Sequence, residues 1–426
     1  MDYRDKLILA PMVRIGTLPL RLLALKYGAD IVYTEELIDL KLLRTERVEN
    51  VALGTVDFVD QSDGTVVFRT CEQERDRVVL QLGTADADRA AEVLRKVGRD
   101  IAAIDVNMGC PKSFSLKGGM GAALLKKPET VRQILTRLVK ESPVPVTCKI
   151  RILPDAEELV ALVKVIRDSG VKALAVHGRF VQERPRDKNH NDVIRQIVQA
   201  FPDLPIIANG GSGEISCFSD IGAFKESTGA SSVMLARVAQ WNPSIFRPEG
   251  KLGRQEVVRD YLRLCIRFGH CAVNAKYCIQ SMIQEAQGTT DWGRALLQAS
   301  TMEEICAVFE MEEELAEFRR EVSAKKESVS AARSASPELK RPLLLLWSRR
   351  RGLPQPKYSV EVRSRIFQAT VHVEGVGYRS SPGEKNRRYA EQAAALVWQK
   401  HNGVTPTDVF QHSRSSSVTL AKDDAG

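Results

Sequence analysis

An α/β chain built on a (β/α)8 TIM barrel, followed by a small helical domain and a compact α-β-β-β-α module, is the architecture predicted by this sequence of 426 residues. Three observations predict it. Between residues 6 and 238, eight short β-like runs alternate with amphipathic helical stretches, the signature of βα units and a parallel sheet. Seven of those eight runs carry a polar or charged side chain within their last three residues, as strands do where barrels collect their chemistry. Finally, residues 338–404 hold 13 Lys and Arg against 5 Asp and Glu, whereas residues 1–337 hold 47 against 46. The net charge of +8 therefore belongs to one C-terminal segment, the footprint of a polyanion-binding module on a neutral body.

The runs in order are KLILAPM (6–12), ADIVYTE (29–35), RVVLQLG (77–83), IAAIDVN (101–107), PVTCKIR (145–151), ALAVHGR (173–179), LPIIANGG (204–211) and SSVMLAR (231–237). Helical patterns such as DADRAAEVLRKV and AEELVALVKVIRDSG lie between them, the second closing on the glycine that favours a helix C-terminus. An open doubly wound sheet is the competing arrangement of the same strands. The segments read as a barrel over 1–240, a helical domain over 241–322, a linker over 323–337 within a charged Ser/Ala-rich stretch that reads as a solvated helix followed by that linker, the basic module over 338–404 and a flexible tail over 405–426.

Composition narrows the class. With 43% hydrophobic and 27% charged residues the chain reads as globular, and its longest plain apolar run, PLLLLW, is far short of the roughly 20 residues of a membrane span. No membrane contact is expected, and the protein is expected to act as a monomer. The stretch MDYRDKLILAPM has no basic region leading into an apolar core, so a cytoplasmic address is expected. Eight cysteines occur without a CxxC pair, which favours reduced thiols and no metal. Seven of them, Cys71, Cys148, Cys217, Cys265, Cys271, Cys278 and Cys306, read as small buried residues. The steps of six and seven between Cys265, Cys271 and Cys278 fall in one apparent helix (about 255 to 287), a core pattern more than a metal cluster.

The strand ends carry Met12, Glu35, Gln81, Asn107, Lys149 with Arg151, His177, Asn209 with two glycines, and Arg237. In VTCKIR, the two-residue period puts Thr147, Lys149 and Arg151 on one face and Cys148 and Ile150 on the other. Two cations aimed at the barrel mouth need an anion, an electron-rich acceptor, or ion pairs with Glu35 or Asp105. The stretch PIIANGGSGE after the seventh strand and MLAR after the eighth occupy the place where such barrels hold phosphate. Gln81, Lys149 and His177 could serve a flat heterocycle. The combination suits flavin mononucleotide (FMN) better than a dinucleotide, because no GxGxxG follows the first strand.

Ordered motifs in this chain, LILAPM, TEEL, LQLG, DVNMGCPK, KGGMGAALL, CKIR, AVHGR, IIANGG and MLAR, resemble those of the tRNA-dihydrouridine synthases, FMN enzymes that reduce a uridine in tRNA. The resemblance covers about residues 5 to 320. It implies that Pro11 and Met12 line the flavin and that Gln81, Lys149 and His177 contact its ring system. Asn209, Gly210, Gly211, Ala236 and Arg237 would hold its phosphate end, Asn107 and Arg151 would face the uracil, and Cys110 would be the general acid. NADPH or NADH would be the electron donor. The chemistry agrees: reducing the C5=C6 bond needs a hydride at C6 and a proton at C5. A thiol with an ordinary pKa near 8.5 is mostly protonated at neutral pH and can give that proton. Were His177 within reach as a base, the same cysteine could instead act as a nucleophile.

The segment after residue 338 resembles a double-stranded RNA-binding domain. Its GEKNRRYAEQAAA stretch falls where that family grips phosphate from the start of its last helix, with Lys385, Arg387 and Arg388. The loop at VEVRSR is short and lacks the Gly-Pro-x-His element of many such domains; Arg363 and Arg365, with Arg349 to Arg351, are read as backbone contacts in its place. The partners implied are tRNA and its double-stranded stems. A barrel joined to this module resembles the eukaryotic subfamily that modifies position 20 of the D-loop. Two other readings remain open: a duplex RNA-binding regulatory protein with a non-catalytic barrel, and a flavin dehydrogenase of a small pyrimidine.

Overall fold

The computed structural model describes residues 1–335, 341–363, 366–380 and 387–403. The chain divides into two compact units, residues 1–322 and 323–426. In the first, β1 (Leu7–Leu9) and β2 (Ile31–Tyr33) begin a parallel sheet, and β3 (Leu37–Ile38) is a two-residue extension beside it. An excursion follows, made of β4 (Thr45–Asn50), β5 (Thr55–Asp60) and β6 (Val66–Cys71). The parallel sheet resumes with β7 (Val78–Gly83), β8 (Ala103–Met108), β9 (Val146–Arg151), β10 (Ala173–His177), β11 (Ile206–Asn209) and β12 (Ser232–Leu235). Its order is β2-β1-β12-β11-β10-β9-β8-β7, and Val32 and Tyr33 of β2 pair with Val78 and Val79 of β7. That last pairing closes the barrel and removes the open sheet as an alternative.

Two apolar layers follow from the alternation of side chains along each strand. Ile8, Ile31, Tyr33, Val79, Ala175 and Met234 fill the barrel, while Leu9, Val32, Leu80, Ile104, Cys148 and Val176 face the surrounding helices. Side-chain caps close two of the barrel's helix starts. Asp155 Oδ1 accepts from the amides of Glu157 and Glu158, and Asp86 from that of Arg89, each cap contributing about 1 kcal/mol.

The excursion β4–β6 is an antiparallel sheet that the strand count from sequence passes over. Its Phe58 and Phe68 stack with centroids 5.5 Å apart, and Asp57 pairs with Arg69.

Beyond the barrel, the helix expected over about 255 to 287 is two helices, Arg254–Arg267 and Ala272–Ile283. Gly269, at φ +57°, makes the break, a conformation that glycine adopts without a Cβ clash. Cys265, Cys278 and Cys306 are buried as expected, but Cys271 at the break and Cys217 ahead of the helix Phe218–Thr228 are exposed. The core reading fails for those two because both sit at helix starts and not inside an apolar face. A continuous helix, Glu312–Ala335, covers most of the segment read as a linker.

In the second unit, helix Arg341–Arg350 precedes β13 (Lys357–Arg363), β14 (Ile366–Val373) and β15 (Val376–Arg379), and helix Arg387–Asn402 follows. The three strands form one antiparallel sheet in sequence order. Glu374 and Gly375, both at positive φ, make the tight turn between β14 and β15. Ala390, Ala394 and Ala395 let the last helix sit close on Ala369 and Val371, and Trp347 meets Trp398 edge-on at 4.6 Å. The tail over 405–426 lies outside the described residues. Among the described residues no helix is long and apolar enough to cross a membrane.

Candidate active site

Strand register brings the chemistry together at the C-terminal rim of the barrel. Gln81 lies beside Asp105, Asn107 beside Lys149, Arg151 beside His177, and His177 beside Asn209. A cleft of about 200 Å³ opens there, lined by Pro11, Glu36, Gln81, Asn107, Cys110, Lys149, Arg151, His177, Asn209 and Ala236 among others. Of the residues expected at the flavin, Met12, Gly210, Gly211 and Arg237 do not line this cleft. The Met12 carbonyl is taken by the amides of Ile15 and Gly16 in the turn after β1.

Beneath the cleft, Asp105 is fully buried between Gln81 Nε2 at 2.9 Å and Thr147 Oγ1 at 2.7 Å. Burial pushes its carboxyl up to about 6. Lys149 makes no ion pair or hydrogen bond among the described residues, so the ion pair considered for it with Asp105 or Glu35 does not form. Burial, with Arg151 adding repulsion, brings its ammonium down to about 8. Arg151 reaches only carbonyls, those of Gly109 at 3.1 Å and Phe180 at 2.9 Å. Arg237 likewise has no carboxylate partner among the described residues, and burial and Arg179 together lower its pKa. Lys149 and Arg151 thus line the cleft without forming an ion pair among the described residues, which leaves them available to an anionic or electron-rich ligand.

Arg179, which the sequence reading passed over as a site residue, organises this region. It is 5% exposed and donates to the carbonyls of Gly210 and Asp187, both at 2.8 Å, and to His177 Nε2 at 3.2 Å. A guanidinium can only donate, so Nε2 is the acceptor and the neutral ring carries its proton on Nδ1. The ring stays neutral because burial, with Lys149 and Arg151 adding repulsion, holds its pKa well below the ordinary value. Asn209 donates to the Met234 carbonyl at 2.9 Å and so ties β11 to β12. Gly210 then turns at φ +119° beside it.

The cysteine loop is braced by Asn107. Its Oδ1 accepts from the amides of Gly109 at 2.9 Å and Cys110 at 3.0 Å, and its Nδ2 donates to Gln81 Oε1 at 3.1 Å. Asn107 therefore spends its polar groups on shaping the loop at the rim, in addition to lining the cleft. Gly121 adds to that shape: a Cβ there would fall 2.4 Å from Ser115 Oγ and 3.0 Å from Cys110 Cβ. Burial raises the Cys110 thiol above its ordinary pKa, and the neighbouring Glu36 carboxyl raises it further. The thiol form is thereby favoured, the opposite of what a nucleophilic cysteine needs.

A larger cavity, about 390 Å³, lies between the β4–β6 sheet and the turn at Gly269. Its cations are already satisfied, Arg21 by Glu74 at 2.6 Å and Arg69 by Asp57 at 2.6 Å. Chemistry therefore centres on the barrel mouth.

In the second unit, Arg387 pairs with Glu391 at 3.0 Å on the exposed first turn of its helix. The side chains of Arg363 and Arg388, and the whole of Arg365 and Lys385, lie outside the described residues.

A family model described as dihydrouridine synthase (Dus) matches residues 8–339. The tRNA-dihydrouridine(20) synthase [NAD(P)+] of Schizosaccharomyces pombe is 38% identical over 322 residues, which is 73% of this chain and 66% of that protein. Its namesake from Saccharomyces cerevisiae is 36% identical over 300 residues, covering 66% of this chain and 78% of its own. A solved structure of Arabidopsis HYL1, described in connection with miRNA processing, is 37% identical over 15% of this chain and 96% of its own, with a TM-score of 0.14. The family match runs across the closed barrel and every residue placed at its mouth, and the chain belongs to the dihydrouridine synthase (Dus) family.

Proposed function

We propose that this chain is a flavin-dependent tRNA-dihydrouridine synthase that reduces the C5=C6 bond of the uridine at position 20 in the D-loop. The observation that carries the reading is a half-buried thiol at the rim of a cleft that it shares with Lys149 and Arg151, neither of them in an ion pair among the described residues, with burial favouring its protonated form. The residues present fit FMN. Lys149 and the Nδ1–H of His177 offer a positive charge and a donor to an electron-rich ring. Gly210, Gly211 and Arg237 offer backbone and a cation to its phosphate. When bound, the flavin supplies the hydride for C6, with NADPH or NADH as the electron source. Cys110 holds the proton for C5, and Arg151 stands over the same rim to receive the polar edge of a uracil swung out of its loop.

Mass spectrometry of unmodified tRNA incubated with the protein, FMN and NADPH is expected to find dihydrouridine at position 20. Its absence from every tRNA tried would sink the reading. Affinity for FMN is expected to fall as pH rises through about 8, because Lys149 loses its charge there. Titrating FMN fluorescence at pH 7 and pH 9 checks this, and Lys149→Met should remove the difference. The second unit is proposed to add duplex affinity from its basic surface. Deleting residues 338–404 should weaken tRNA binding and reduce the steepness of its salt dependence. A salt slope unchanged by the deletion would contradict that role.

A further inference from the structure

Glu36 lines the cleft beside Cys110, and neither the ordered motifs nor the flavin assignment gives it a task. Its Oε1 accepts from Ser115 Oγ at 3.3 Å, and its Oε2 is buried with no hydrogen-bond partner. Two glycines make room for it. A Cβ on Gly83 would fall 2.8 Å from Glu36 Oε1, and one on Gly121 would displace Ser115 Oγ, the hydroxyl that holds the carboxyl. An unpaired buried carboxyl oxygen is costly, and here it is kept against a cysteine.

The charges around the thiol explain why. Lys149 and Arg151 stand over the same cleft from β9, and their positive charge favours a thiolate. A thiolate cannot give a proton to carbon. Among the described residues, the one acidic side chain lining the cleft is Glu36, on the loop between β2 and β3. We propose that Glu36 is the positioning residue that keeps Cys110 loaded: its carboxyl, braced by Ser115, opposes the Lys149 and Arg151 charges so that the cysteine enters each turnover as a thiol. Burial raises the Glu36 carboxyl while the thiol and Ser115 pull it back. When Cys110 gives its proton to C5, the S–H bond breaks and its electron pair stays on sulfur. The sulfur then carries an extra negative charge beside Glu36 and recovers one proton from water.

This rests on Cys110 being the acid, but its test needs no RNA. FMN-loaded protein is treated with iodoacetamide over pH 6 to 10, and labelling of the Cys110 peptide is followed by mass spectrometry. Glu36→Gln keeps the shape and removes the charge, and it should speed Cys110 labelling at pH 7.5 by about tenfold, moving the profile to lower pH. Glu36→Asp keeps a carboxylate slightly further away and should speed it by about threefold at most, a comparison that stands even where the glutamine variant folds poorly. Tyrosine and flavin absorbance report folding in each. Labelling unchanged in both variants, or accelerated equally in both, would overturn the assignment while leaving the reduction of tRNA to its own assay.

Discussion

Cys110→Ala is expected to lower turnover on tRNA by about 100- to 10,000-fold, the range over which a positioned acid contributes, while NADPH continues to reduce the bound flavin at close to the normal rate. The separation follows from where the thiol sits. It is on the loop after β8, which is fixed by hydrogen bonds from the Gly109 and Cys110 amides to Asn107 Oδ1, and the groups assigned to the flavin lie on other strands. Removing one sulfur atom from a half-buried rim position leaves β8 and its neighbours packed as before. The residue is also surrounded by few substitutes. Lys149, at about 8, lines the same cleft, and its charge is the one assigned above to FMN binding. Cys110→Ser is expected to rescue little, since a hydroxyl holds its proton far more tightly than a thiol. Stopped-flow flavin reduction and single-turnover assays on tRNA measure the two halves. Equal loss of both would mean that the cysteine is structural.

The parts of this fold that were legible in the sequence are those in which a local pattern answers to a global constraint. Each strand of a closed parallel barrel is buried on both faces, so IAAIDVN and LPIIANGG stand out as apolar runs with polar ends. The alternation in VTCKIR separated Lys149 and Arg151 from Cys148 and Ile150 correctly, because a strand allows only two faces. What escaped depends on partners distant in sequence. Arg179 looked like the end of a motif, yet one of its acceptors, the Gly210 carbonyl just after β11, lies 31 residues further on. Glu36 followed Glu35 in an acidic doublet, and nothing local distinguished the residue that turns toward Cys110 from the one that accepts the Arg14 amide. The strands TERVEN and TVDFVD were hidden by their charge, as expected for a small sheet with one face in solvent. The helix break at Gly269 was a single glycine in an otherwise continuous amphipathic pattern, and one such residue is tolerated in many helices.

Gly210→Ala is expected to cost about 3 kcal/mol of barrel stability and to weaken FMN binding at least tenfold, whereas Gly213→Ala in the same NGGSG stretch stays within about 0.5 kcal/mol of the native protein. The two glycines look alike in sequence and differ in what surrounds them. Gly210 sits at φ +119°, and a Cβ added there would be 1.9 Å from Asn189 Oδ1 and 3.0 Å from the His177 ring. Asn189 cannot retreat easily: it is 3% exposed, and its Nδ2 donates to Asn191 at 2.6 Å. Gly213 has open space where its Cβ would be. A double-mutant cycle with Asn189→Ala divides the cost. Removing the amide should recover the part due to the clash and leave about 1 to 3 kcal/mol due to the backbone alone. Denaturant unfolding and FMN titration on the four proteins give both quantities. Equal destabilisation by Gly210→Ala and Gly213→Ala would show that the loop is plastic, and the phosphate-binding role would then lose its structural basis, since only a backbone held in this turn can present its amides in a fixed direction.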